Sequence, residues 1–106
     1  MKKKEVQSVK IGEMRNGWFI GDFESSLFKT PVVDVGVRYY KAGEEIAEYC
    51  HKLATEFLVI VEGEAEVAGK RYKRGDIVIV EPEVNIGFIA ITDVSIAVVR
   101  IPGVRD

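Results

Sequence analysis

The stretch Gly43-Glu44-Glu45-Ile46-Ala47-Glu48-Tyr49-Cys50-His51-Lys52-Leu53-Ala54-Thr55-Glu56, followed by the apolar run Phe57–Val61 and then Gly63, decides the fold of this 106-residue chain. Alternate side chains of a strand share a face, so Tyr49 and His51 are expected to point one way and Cys50 the other. After a short corner, Glu56 opens the next strand close enough to meet them. The run from Phe57 is apolar and ends at Gly63, where the chain needs a turn. An imidazole, a phenol and a carboxylate are thereby gathered on one inner wall.

The same β pattern continues outward in both directions. Short β-branched and aromatic runs, separated by Gly, Pro, Asp or charged turns, predict strands near 4–11, 17–23, 32–41, 46–52, 55–62, 64–68, 71–73, 77–81, 86–92 and 94–101. Gly69, within Ala68-Gly69-Lys70, supplies the positive φ of a tight hairpin. Lys41-Ala42-Gly43-Glu44 closes the strand before the motif in the same way. Thr92-Asp93 divides two apolar strands, and Pro31 suits the first residues of a strand. Arg74-Gly75-Asp76 reads as a turn and nothing more. No window of about 11 residues keeps a 3.6-residue period, so only Glu24 to Lys29 is expected to make a single helical turn. Many short strands at even spacing give an all-β sandwich or barrel, in which strand edges are largely paired.

Length and charge narrow the function classes. One domain over 1–106 is expected, with an apolar fraction of 47% that is enough for a core. Small domains bury a smaller share of their surface, so a homodimer is expected. The 15 basic and 17 acidic residues give a net charge of −2, which offers no electropositive face for nucleic acid and no basic helix for a membrane. Lys2, Lys3 and Lys4 read as a solvated tail. No run approaches the roughly 20 apolar residues of a membrane span, and no apolar leader follows the lysines. With Cys50 as the single cysteine there is no internal disulfide framework, and a cytoplasmic location is expected.

These residues resemble the cupin superfamily. Its first motif is Gly, five residues, His, one residue, His, three or four residues, Glu, six residues, Gly. Gly43, His51, Glu56 and Gly63 fill it at matching spacings, and Tyr49 stands at the first His. The second motif is similar to Gly75-Asp76-Ile77-Val78-Ile79-Val80-Glu81-Pro82-Glu83-Val84-Asn85-Ile86, with Gly75, Asp76 and Pro82 in place. Here Glu83 replaces the Gly after the Pro, and Ile86 replaces the third metal-binding His. The resemblance covers about residues 32–100 and implies a cupin-type double-stranded antiparallel β-barrel, or jelly roll.

The usual metal-binding members use three His and one Glu. By that comparison only His51 and Glu56 remain as metal ligands, which would leave a divalent ion mostly hydrated. No cofactor is therefore expected, and His51 and Glu56 are the ligands if a divalent metal is bound. The candidate catalytic residues are His51, Tyr49 and Glu56. The candidate ligand pocket comprises Tyr49, His51, Glu56, Ile86, Arg38 and Tyr40, with alternation sending either the Arg38/Tyr40 set or Tyr39 inward. Trp18 is expected in the core or at a dimer seam, Cys50 away from the pocket, and Glu81, Glu83 and Asn85 in solvated loop. The first functional expectation is a small polar ligand such as a sugar or nucleotide-sugar, with metal-independent acid–base chemistry of the isomerase or epimerase kind. His51 suits proton transfer at neutral pH. The alternatives are a non-catalytic ligand-binding or dimerisation module, and a metal-dependent cupin enzyme with an incomplete ligand set.

Overall fold

In the computed structural model, which describes residues 4–103, the alternating apolar runs become two facing sheets. The strands are β1 (Trp18–Gly21), β2 (Phe28–Lys29), β3 (Asp34–Tyr40), β4 (Glu45–Tyr49), β5 (Thr55–Glu62), β6 (Glu64–Val67), β7 (Lys70–Lys73), β8 (Ile77–Val80), β9 (Ile86–Ala90) and β10 (Val94–Ile101). One sheet has the order β2-β1-β3-β10-β5-β8 and the other β4-β9-β6-β7. Pairing is antiparallel except between β1 and β2. This is a jelly-roll barrel, as the family resemblance implies.

Period-two alternation builds the core between the sheets. Leu58 and Ile60 of β5, Val94, Ile96 and Val98 of β10, Ile86, Phe88 and Ala90 of β9, and Ala65 and Val67 of β6 all point inward and are buried. Each large aliphatic side chain so buried contributes about 2 kcal/mol. Two turns fix the registers. Ala68 (φ 50°) and Gly69 (φ 82°) both adopt positive φ between the paired Val67 and Lys70, so the hairpin needs a left-handed residue at Ala68 as well as at Gly69. Gly63 (φ 86°) sits where an added Cβ would collide with the Asp93 carbonyl, so the closing Gly of the first motif is fixed by close backbone approach.

Three expectations are corrected. No strand forms over the described part of 4–11. Residues 4–10 are exposed, Val6 fully so, because the β-branched residues there have no neighbouring strand to pair with. A 3-10 turn at Ile11–Glu13 follows instead. The helical turn expected at Glu24–Lys29 is a reverse turn, closed by Ser26 N donating to Phe23 O at 3.2 Å, and Phe28–Lys29 then pairs with β1. The strand expected over 46–52 stops at Tyr49, leaving His51 on the following loop. Lys4 is exposed as expected, while Lys2 and Lys3 lie outside the described residues.

The outer face of the larger sheet is apolar as well. Registers align Val35, Val99, Phe57 and Ile79 in one row across β3, β10, β5 and β8, and Val37, Ala97, Val59 and Ile77 in the next. Ile77 and Ile79 are 60% and 61% exposed. No helix among the described residues is long and apolar enough to cross a membrane.

Candidate functional site

Glu56 is the first inward residue of β5 and is 1% exposed, the most deeply buried charged side chain among those described. A buried carboxylate needs donors, and three groups converge on it. Tyr49 Oη donates to Glu56 Oε1 at 2.7 Å. Arg100 Nε donates to Oε2 at 2.9 Å, a charge-assisted bond. His51 Nε2 lies 3.4 Å from the same Oε2.

Local structure explains each placement. The register of β4 against β9 shifts between Ile46 and Tyr49, so both side chains reach the inner side. Tyr49 and His51 then meet edge to face, with ring centroids 5.4 Å apart, while Cys50 is exposed as alternation predicts. The loop bearing His51 is pinned by Glu83 N, which donates to the His51 carbonyl at 2.7 Å. Arg100 follows Val94, Ile96 and Val98 on the inward side of β10 and is the direct register partner of Glu56. Its guanidinium also stacks 4.3 Å above the Trp18 ring, a cation–π contact. Trp18 can lie there because its register partner is Gly36, where a Cβ would come within 2.7 Å of the indole.

The cluster lines a cavity of about 360 Å³ inside the barrel. Tyr49, His51, Glu56, Arg38 and Tyr40 line it as expected, and Tyr39 points outward at 61% exposure. Trp18 and Arg100 also line it, and neither was assigned to the pocket from sequence. Ile86 lies opposite Tyr49 in the β4–β9 register, but its side chain packs into the core rather than onto the pocket wall. Glu81, Glu83 and Asn85 are exposed, in keeping with solvated loop. A larger opening of about 540 Å³, lined by Arg15, Asp22 and Asp34, lies beyond Trp18 and Arg100, which form the common wall. The smaller cavity is the candidate site because it holds the convergent imidazole, phenol and carboxylate.

The electrostatics keep Tyr49 neutral. Burial raises its pKa well above the ordinary value of 10.0, and the charge of Glu56 and the hydrogen bond to it push the same way. Tyr40 is also raised, chiefly by burial, with Arg38 opposing. Both phenols therefore act as hydrogen-bond donors rather than bases at neutral pH.

The donor set does not fit a divalent cation. No cluster of three or more His, Cys, Asp or Glu suited to an ion occurs among the described residues. Both Glu56 oxygens already accept hydrogen bonds, and the Arg100 guanidinium places a fixed positive charge against the only carboxylate of the cluster. A cation entering there would meet like charge at close range. The apolar Ile86, at the third His position of the motif, offers no donor.

No protein-family model matches the sequence, and no curated protein is significantly similar to it. Solved structures are similar. An uncharacterized conserved protein with a double-stranded beta-helix domain from Klebsiella pneumoniae aligns with 100% of this chain and 93% of its own, at 23% identity and a TM-score of 0.73. An RmlC-like cupin from Desulfovibrio desulfuricans aligns over 98% of this chain and 99% of its own, at 21% identity and a TM-score of 0.67. KdgF from a Halomonas species aligns over 73% of this chain and 74% of its own, at 21% identity and a TM-score of 0.64. At such identities the likeness concerns the fold: with the observed strand order, this chain has the double-stranded β-helix, or jelly-roll, fold of these RmlC-like cupin structures.

Proposed function

We propose that the barrel binds a small polar molecule of monosaccharide size and moves a proton on it without a metal. The observation that carries this reading is the convergence of Tyr49, His51 and Arg100 on the buried Glu56 in a cavity whose other walls are apolar and aromatic except for Arg38. At about 360 Å³ the cavity is near the lower limit of ligand pockets, which favours a sugar over a nucleotide-sugar.

The roles follow from the geometry. His51 is the group suited to exchanging a proton at neutral pH. Glu56 Oε2 lies 3.4 Å from Nε2 and orients the ring through its charge. Tyr49, held neutral, positions the carboxylate and presents its hydroxyl oxygen beside the ligand. Trp18, Tyr40 and Phe88 supply flat apolar walls, against which the faces of a sugar ring stack.

The test is hydrogen–deuterium exchange at carbon. Aldoses, ketoses and their acids are incubated with tag-free protein in D₂O and followed by NMR. Exchange that His51→Asn abolishes and Cys50→Ser leaves intact supports the reading. Equal exchange by His51→Asn sinks it.

One observation favours a second reading, binding without chemistry. Both Glu56 oxygens are satisfied by internal partners, so the cluster also serves as a rigid floor. In that case ligands raise the melting temperature with no exchange.

A further inference from the structure

The inward charges of this cavity do not cancel. Glu56 carries its one carboxylate, and Arg100 already answers it at 2.9 Å. Arg38 adds a second guanidinium. It reaches the cavity from β3 because Arg38 and Tyr40 take the inward positions of that strand while Tyr39 points out. Its Cζ lies 5.6 Å from the centroid of the Tyr40 ring, and among the described residues it forms no ion pair. The cavity thus holds one positive charge in excess, without counting His51, inside a protein whose net charge is −2. A guanidinium facing a partly dry wall without a carboxylate is costly unless an anion arrives from outside. Its planar fork matches a carboxylate with two parallel hydrogen bonds.

We infer that Arg38 is the anchor for the carboxylate of a small monoanionic ligand whose ring or chain lies along Tyr40 and Phe88. The two rings, 5.0 Å apart and tilted by 48°, form an apolar trough beside the guanidinium. The anchored carboxylate directs the rest of the ligand toward Tyr49, His51 and Glu56. The inference rests on the ligand-binding part of the proposed function and narrows its substrate class from polar molecules to carboxylates.

The experiment uses matched pairs that differ in charge: benzoate against benzamide, and glucuronate against glucose. Binding is measured by calorimetry and by chemical-shift change on the full chain. The acids are expected to bind at least tenfold more tightly than their uncharged partners, and added salt is expected to weaken only the acids. Arg38→Gln is expected to lose at least tenfold in affinity for the acids and nothing for benzamide or glucose, with a melting curve confirming that the variant is folded. Arg38→Lys, which keeps the charge but not the fork, is expected to fall between.

Equal affinity within each pair, tighter binding of phenyl phosphate than of benzoate, or unchanged benzoate affinity in Arg38→Gln overturns the inference. So does failure of every acid to bind at millimolar concentration. Deuterium exchange on glucose with no preference for acids keeps the proposed chemistry and removes the anchor. Binding of acids without exchange keeps the anchor and removes the chemistry.

Discussion

Arg100 and Glu56 face each other directly across the β10–β5 register, with Nε 2.9 Å from Oε2, and the same guanidinium lies flat on Trp18. A cross-strand pair on an inward face is an expensive place for two charges. Glu56 is 1% exposed, so it relies on this partner and on Tyr49 to replace its lost hydration.

Arg100→Leu is therefore expected to cost about 3 kcal/mol of stability, because it leaves the Glu56 carboxylate buried with one donor fewer. The double variant Arg100→Leu/Glu56→Leu is expected to recover more than half of that loss while abolishing ligand binding. Urea unfolding of the two variants decides the matter. Equal stability of the single variant and the natural protein would falsify the account of the pair.

Tyr49 gives a pH signature. Its pKa is raised in the folded state above the unfolded value of 10.0, chiefly by burial. Below pH 10 the phenol is protonated in both states and its contribution is fully present. As pH rises above 10 the unfolded chain ionises first, so folding stability falls toward the higher folded pKa. Tyr40 acts in the same direction. Tyr49→Phe is expected to make the alkaline decline shallower and to leave the profile between about pH 7 and 9 unchanged. Melting curves across the alkaline range are the check, and an identical slope in the variant contradicts the assigned burial.

Gly36 is the position at which one methyl group disturbs the site from behind. A Cβ there would stand 2.7 Å from Cε3 and 2.9 Å from Cδ2 of Trp18, so the indole has to move. Gly36→Ala is expected to destabilise the chain by about 1–3 kcal/mol, the usual cost of overpacking. Trp18 is the only tryptophan, so its emission reports the displacement directly. Unchanged emission together with unchanged stability rules out the tight Trp18–Gly36 contact.

Much of this arrangement is legible in the chain, for a definite reason. Tyr49 and Glu56 fall on the inner side of β4 and β5, because strand geometry has few free parameters, whereas His51 reaches the cluster from the loop between them. Arg100 belongs to neither motif, so the resemblance does not mark it. Its signal is the alternation of Val94, Ile96 and Val98, which carries the inward face of β10 to Arg100 two residues later. Trp18 is legible only through Gly36, since a glycine inside a strand is a sign of close approach. The expected strand over 4–11 fails because β-branched composition measures fitness for a sheet and says nothing about whether a partner strand is present. The end of β4 before His51 is set by the contact with Glu83, more than thirty residues along, which no local pattern encodes.

The outer face of the larger sheet bears on the homodimer expected from the size of the chain. The rows Val35–Val99–Phe57–Ile79 and Val37–Ala97–Val59–Ile77 contain no charged or polar side chain, so a second copy related by a two-fold axis meets no like charge across them. Two such faces pack at the roughly 10 Å spacing of stacked sheets, and the exposed Ile77 and Ile79 gain most from the contact. Sedimentation at micromolar concentration is expected to give twice the chain mass. Ile79→Lys places a charge on the outer, solvent-facing side of β8 and disturbs no buried residue. It is expected to yield a folded monomer that still binds ligand, because the cavity lies on the opposite side of the sheet. A natural protein that sediments as a monomer, or an Ile79→Lys variant that remains dimeric, removes this face as the interface.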